Sequence, residues 1–456
     1  MATLLVKNAR LLVTMDDQRR KIPNGGIFVQ DNVIQAVGPT AELPAQADRV
    51  IDATEMVVLP GLVNTHHHLY QTLTRALPAV QNAELFEWLT RLYPIWAELT
   101  AEAVYHSALV GLAELVLSGC TTASDHLYLV PNDASHTDEI RAAQELGVRF
   151  HPCRGSMSLG RSRGGLPPDR VVQTEDEILA DCEQLVKAHH DPKRYSMLRI
   201  VVAPCSPFSV TEESMRRSAA WARQQGLTMH THVAETLDEE RFCLERFGCR
   251  PVEYMRRLDW MGPDVWFAHA IYLNPDEIRL MAETDTGVAH CPTSNMRTAA
   301  GVAPIRELLD AGVRVGLAVD GSASNDSSHM LAEVRMALLL QRVFKGAAAL
   351  TVEEALEMGT RGGARVLGRD DIGSLEPGKA ADFIGVRLNR LQFAGAACHD
   401  PLASLILCNP PWVDLSVING RVVVEEGQIP GLDMERLVAR QNELALEMVR
   451  RAEEAR

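Results

Sequence analysis

Nothing in this sequence supplies a disulfide framework or a cysteine-based zinc cluster. Its nine cysteines, an odd number, are scattered from Cys120 to Cys408 without one Cys-x-x-Cys pair. Such scattered thiols fit core packing in a reducing compartment. Long apolar runs are also missing: even Ala108–Leu117 is interrupted by Glu114, whereas a bilayer-spanning helix needs about 20 apolar residues. There is no basic excess, since 45 Lys and Arg stand against 60 Asp and Glu, a net charge of −15. That balance argues against nucleic acid or an anionic membrane as the main partner. The opening residues Met1 to Lys7 lack a basic stretch followed by an apolar core and a cleavage site, so a cytoplasmic enzyme is expected. No Gly-rich turn follows the first apolar run of the middle region, which weighs against an open dinucleotide-binding sheet.

What is present reads as a large globular enzyme. The 456 residues are 46% hydrophobic and 23% charged, enough for two to four domains or one barrel with an appendage. Both ends carry β-branched runs, at Leu4–Val13, Ile27–Val37, Asp382–Val386 and Leu415–Val424. Asn419-Gly420 inside the last of these is a hairpin signal. Between the ends, eight short apolar runs recur at Val57–Asn64, Thr121–Asp125, Val148–Cys153, Leu198–Ala203, Thr228–His232, Val265–His269, Gly287–His290 and Arg314–Asp320. Amphipathic stretches such as Ala101–Leu117, Glu175–Ala188 and Glu212–Gln225 alternate with them. Eight strand–helix units over some 300 residues predict an α/β protein, a (β/α)8 barrel. The predicted organisation is a small β-sandwich from residues 1–58 and 373–430, a catalytic barrel over 59–372, and a terminal helix over 431–456. Leu69–Glu98 and Gly155–Val172 read as loop insertions, either ordinary surface loops or lids over the C-terminal mouth where barrel sites lie.

Polar residues gather at the ends of the apolar runs. The first run leads into His66-His67-His68, and strand alternation puts His66 and His68 on one side, where two imidazoles can grip one ion. The fifth ends at His232 with Glu235 close behind, the sixth at His269 and the eighth at Asp320. Imidazoles plus a carboxylate suit zinc or ferrous iron and leave a position for water. Taken singly, each is as readily a hydrogen-bonded structural residue; their convergence on one barrel mouth favours a metal.

These residues bring a resemblance into view. Leu59-Pro60-Gly61-Leu62-Val63-Asn64-Thr65-His66-His67-His68, His232-Val233-Ala234-Glu235 and Gly373-Ser374-Leu375-Glu376-Pro377-Gly378-Lys379-Ala380-Ala381-Asp382 resemble the signatures of the amidohydrolase superfamily, in order and over nearly the whole chain. The resemblance implies a barrel with a terminal β-sandwich, a homo-oligomer, and one divalent metal, zinc before iron, held by His66, His68, His232 and Asp320. Two-metal members carry a carboxylated lysine on strand four; here that strand reads Arg199 to Cys205 without lysine, which favours one metal. Bound metal would bring the pKa of water toward roughly 7. Glu235 would then carry a proton to the substrate, with His269 and Asp320 holding the water; a residue that merely orients His232 is the alternative for Glu235.

For the substrate, Gln71 fits the amide position of the deaminase branch, and Arg154 would hold a ring carbonyl or tie down a loop by a salt bridge. Trp88 would stack on a heterocycle or serve the core, and Asn295 would line the pocket or form a turn. The segments Ser156–Gly160 and Gly164–Asp169 look most like those of deaminases acting on 8-oxoguanine. Hydroxylated s-triazine aminohydrolases and guanine, isocytosine and pterin deaminases are neighbouring readings. The expected partner is a small heterocycle, converted from 8-oxoguanine to uric acid and ammonia; s-triazine hydrolysis and a non-catalytic scaffold are the competing classes.

Overall fold

The β-branched runs of the middle region close on themselves. The computed structural model describes residues 2–409 and 412–455. Its eight parallel strands are β1 (Leu62–Asn64), β2 (Cys120–Leu127), β3 (Arg149–Ser156), β4 (Val201–Pro204), β5 (Met229–Val233), β6 (Val265–His269), β7 (Gly287–His290) and β8 (Val315–Leu317). They form a closed barrel in chain order. Closure rests on a narrow seam, since β8 meets β1 in one register pair, Leu317 with Asn64. Inward positions, including Val63, Cys153, Val201 and Trp266, fill the interior, so the barrel is a packed core with its site at the strand ends.

The run expected as one first strand, Val57–Asn64, divides at Gly61. Met56–Pro60 pairs antiparallel with Phe383–Arg387 in a six-stranded sheet, and only Leu62–Asn64 enters the barrel. Both halves are apolar and fully buried, so composition does not mark the break. Gly61 allows the step, because a Cβ there would stand 2.0 Å from the Thr121 hydroxyl.

The two chain ends share a second core. Thr3–Ala9, Gly25–Gln30, Val33–Pro39 and Arg49–Asp52 form a four-stranded sheet. The six-stranded sheet adds Leu11–Val13 and Lys21–Ile22 to C-terminal strands that include Leu415–Ile418 and Arg421–Glu425. Val6, Ile27, Val58, Phe383 and Val417 pack between these layers. Asn419 and Gly420 both take left-handed backbone angles, φ 51° and 79°, as a two-residue hairpin turn requires. Arg149, at the start of β3, joins barrel to sandwich: Nε and NH2 donate to the two carboxylate oxygens of Asp382 at 2.9 and 3.0 Å. The helix Met434–Glu454 follows. Among the described residues no helix is long and apolar enough to cross a membrane.

The first insertion folds over the barrel mouth as single-turn segments and the helix Leu85–Trp96. Trp88, Tyr93 and Trp96 are buried there. The second insertion is tied down by backbone bonds from Ser158 and Leu159 to the Ser209 carbonyl and from Leu166 to that of Phe208.

Candidate active site

Each polar strand end sits where the chain reverses into a loop. Asp320, His269 and Ala234 adopt left-handed backbone angles, φ 64°, 70° and 56°, a conformation disfavoured for residues bearing a Cβ. The strain is held by bonds at the turns. The Asp320 N–H donates to the His66 carbonyl at 3.2 Å, and the N–H groups of Ala234 and Glu235 donate to the two oxygens of Glu239, each at 2.8 Å.

The tautomers follow from the outer hydrogen bonds. His68 Nδ1 lies 2.6 Å from the His126 carbonyl and His232 Nδ1 2.7 Å from that of Cys205. A carbonyl only accepts, so both Nδ1 atoms carry the proton and both Nε2 atoms keep a lone pair. His66 reaches the same state through a relay: His230 Nδ1 donates to the Trp266 carbonyl at 2.9 Å, leaving its Nε2 to accept from His66 Nδ1 at 2.7 Å. His66 Nε2 is then buried with no hydrogen-bond partner among the described residues.

The three free lone pairs and one carboxylate converge. Asp320 Oδ1 is 3.2 Å from His66 Nε2 and 3.5 Å from His68 Nε2, while His68 Nε2 is 3.2 Å from His232 Nε2. Two lone pairs facing at that distance repel, and nitrogens bound to one zinc ion stand roughly 3.4 Å apart in a tetrahedral site. The donor set therefore fits a divalent cation. Burial keeps all three imidazoles below the usual histidine range. It opposes charge on Asp320, but the neighbouring imidazoles of His66, His269 and His68 hold that carboxyl well below the usual range. Neutral imidazole and ionised carboxylate are the states a metal requires.

Glu235 and His269 face the set from one side. His269 Nε2 lies 3.6 Å from Glu235 Oε1 and 3.9 Å from Asp320 Oδ2. Burial pushes the Glu235 carboxyl up to about 7. Burial disfavours charge on His269, yet Glu235, Asp320 and Asn295 raise it above its ordinary value. A cavity of about 40 Å3 opens over these groups, lined by Gln71, Trp88, Tyr93, Tyr128, Cys205, Ser206 and Phe208 as well as His68, His232, Glu235, His269 and Asp320.

Of the side chains expected to meet a substrate, Gln71 and Trp88 line this cavity, and Trp88 Nε1 donates to the Ala323 carbonyl at 3.2 Å. Gln71 lies so close to the turn after Asp320 that a Cβ on Gly321 would be 2.0 Å from its Oε1. Arg154 and Asn295 are placed elsewhere. Cys153 faces the interior, so its neighbour Arg154 points to the helix layer. There it is fully buried, with Nε donating to Asp181 at 2.8 Å and NH2 to Gln173 at 3.0 Å. It is the loop-securing salt bridge, not a cavity contact. Asn295 stands behind His269, its Oδ1 accepting from Nδ1 at 2.9 Å. Cavity-lining residues come from the first insertion and none from residues 156–172. His126, His230, Tyr93 and Tyr128 were not anticipated. The two histidines carried a legible signal, at a strand end and two residues before His232; the tyrosines carried none.

The fold and the donor set together mark the class. The chain belongs to the amidohydrolase family, which it matches over residues 57–423. It is 50% identical over 428 residues to an 8-oxoguanine deaminase of Pseudomonas aeruginosa, an alignment covering 93% of this chain and 95% of the relative. It is 39% identical over 453 residues to a hydroxydechloroatrazine ethylaminohydrolase of Pseudomonas sp., covering 95% and 93%. Among solved structures, an atrazine chlorohydrolase of Arthrobacter aurescens complexed with zinc superposes with a TM-score of 0.92 at 34% identity, covering 97% of this chain and all of that one.

Proposed function

We propose that this protein is a metal-dependent deaminase of a cyclic amidine, with 8-oxoguanine as its substrate and uric acid and ammonia as products. His66, His68, His232 and Asp320 hold one divalent ion, zinc before iron. The observation that carries the reading is the convergence of three neutral imidazole lone pairs and a buried carboxylate beside Glu235 and His269. A cation held there supplies hydroxide from water near neutral pH.

The side chains supply the rest. Asp320 and His269 orient the attacking water from one side. Glu235 takes the proton that water releases as its oxygen bonds to the amine-bearing ring carbon, and delivers it to the adjacent ring nitrogen. The carbon–amine bond then breaks, the nitrogen departs with a further proton as ammonia, and a carbonyl remains. Gln71 presents an amide to a ring carbonyl, Trp88 walls the ring, and Tyr93, Tyr128 and Ser206 offer further hydroxyls. A site built to hydrogen-bond such groups rejects analogues lacking them, by up to roughly 10⁴–10⁵. The 50% identity to an 8-oxoguanine deaminase supports this choice of substrate.

Hydrolysis of a substituted s-triazine is the second reading, supported by the 39% identical ethylaminohydrolase and the zinc-bound chlorohydrolase fold. Steady-state kcat/KM for 8-oxoguanine, guanine, isocytosine, isoxanthopterin and hydroxyatrazine in one buffer separates them. The proposal expects 8-oxoguanine to lead; a different leading substrate overturns it, and turnover of the triazine alone installs the second reading.

A further inference from the structure

A carboxyl beneath the Glu235 turn departs from the pattern its own helix sets. Thr236-Leu237-Asp238-Glu239 opens the helix Leu237–Phe247 with the Thr-x-x-Glu spacing of a capping box. Thr236 Oγ1 accepts from the Glu239 N–H at 3.3 Å, as that spacing allows. In such a box the glutamate reaches back to the N–H of the capping residue. Glu177 and Glu354 do so toward Thr174 and Thr351, each at 2.8 Å. Glu239 passes that donor by. Its two oxygens accept instead from the N–H groups of Ala234 and Glu235, each at 2.8 Å.

The arrangement is unfavourable for the fold alone. Glu239 is fully buried, and both its oxygens are met by backbone N–H groups rather than by a guanidinium or ammonium. A carboxyl taken out of water without a charged partner costs stability. What the two bonds secure is a backbone conformation, since Ala234 is left-handed at φ 56° and bears a Cβ that disfavours it. The same turn is stitched to the one carrying His269. The Ala234 carbonyl accepts from the Ile271 and Tyr272 N–H groups at 2.9 and 3.0 Å, and the Val233 carbonyl from Ala270 at 3.2 Å. From this turn the Glu235 carboxyl faces His269 Nε2 at 3.6 Å. We propose that Glu239 is a positioning residue for the reaction, clamping the left-handed turn so that the Glu235 carboxyl stands where a proton is taken up and delivered.

The clamp grips the chain just past His232 and not His232 itself. That imidazole has its own anchor, Nδ1 donating to the Cys205 carbonyl at 2.7 Å. Releasing the clamp therefore leaves His232 in place and frees Glu235. A displacement of about 1 Å at a reacting group lowers the rate by up to roughly 10²-fold. Glutamine at position 239 has the length of glutamate but a single acceptor oxygen, and its NH2 would face one of the two N–H groups.

The inference rests on the role proposed above for Glu235, and the test separates the two. Full-length wild type, Glu239→Gln, Glu235→Gln and the double variant are loaded with zinc and compared in kcat, KM, zinc content and Tm, using the leading substrate of the panel above. Glu239→Gln is expected to keep its zinc, lower kcat roughly 10–100-fold and leave KM nearly unchanged. Added to Glu235→Gln, the same substitution should leave kcat where it was, because it acts through a group already removed. A lower Tm with unchanged kcat per zinc-bearing site makes Glu239 a support of the fold alone and overturns the inference. Zinc loss in Glu239→Gln, which would assign it to holding His232, overturns it too, as does a further fall of kcat in the double variant. If Glu239→Gln does not fold, Glu239→Asp, too short to reach both N–H groups, takes its place; failure of both to fold also overturns the inference. Wild-type turnover in Glu235→Gln overturns the role of Glu235 and the inference with it, whereas kcat lowered in Glu235→Gln but not in Glu239→Gln overturns the inference alone.

Discussion

Glu235 is a carboxyl held out of water and facing an imidazole 3.6 Å away. Burial raises its pKa to about 7, and the consequence for rate has a definite sign. Protonated, it cannot take a proton from water; its ionised fraction grows as pH rises through about 7. The pH profile of kcat/KM is therefore expected to climb across that range and level off above it. Glu235→Gln should retain the metal and the fold, lose that limb, and lower kcat by about 10²–10⁴-fold. Metal loss in the variant, measured by elemental analysis, would reassign Glu235 to holding His232. Arg154 invites the opposite expectation. Its partners are Asp181 and Gln173, so Arg154→Met should lower Tm and leave the ranking of substrates by kcat/KM unchanged.

Secondary-structure elements meet at two glycines whose replacement by alanine should give opposite readouts. A Cβ on Gly155, in β3, would lie 2.4 Å from the Leu127 carbonyl oxygen and 2.7 Å from His126 Cδ2. Backbone cannot yield cheaply, so Gly155→Ala should destabilise by about 1–3 kcal/mol, read as a lowered urea midpoint. A Cβ on Gly321 meets the movable end of Gln71 at 2.0 Å. Gly321→Ala should leave the urea midpoint nearly unchanged and raise KM as Gln71 swings out of the cavity. The same elements show what was legible in sequence. Polar residues closing apolar runs marked His66, His68, His232, His269 and Asp320, because a barrel strand stays apolar until it reaches the mouth. The division at Gly61 was hidden, since both halves are apolar and only pairing with Phe383–Arg387 distinguishes them. Arg154 stays open between a ring carbonyl and a salt bridge in the sequence, and the alternation that sends Cys153 inward decides for the salt bridge. His126 is hidden because the apolar run Thr121–Asp125 stops one residue before it.

For the whole molecule, the bond between barrel and sandwich is a buried bidentate ion pair. Arg149 and Asp382 are both almost fully buried, and Asp382 also accepts from the Asn419 N–H at 2.7 Å. Breaking such a pair from one side leaves an uncompensated charge and costs about 3–5 kcal/mol. Asp382→Ala is expected to lower Tm by roughly 3–5 °C, from the usual unfolding entropy per residue at this length, with kcat little changed in the protein that remains folded. Chelation should act on stability as well as rate: a ligand at a thousand times its Kd contributes about 4 kcal/mol, so calorimetry of stripped protein should show a lower Tm that returns with zinc. The narrow seam between β8 and β1 gives this a further meaning. His68 and His232 are 164 residues apart in the chain, and Asp320 follows the last strand while His66 follows the first. With the ion bound as proposed, the metal clasps the two ends of the barrel across a join of one register pair, and the complete donor set exists only after the ribosome has released Asp320. During synthesis, cofactor capture would then wait for the barrel's last strand, as a checkpoint that only a closed barrel can pass.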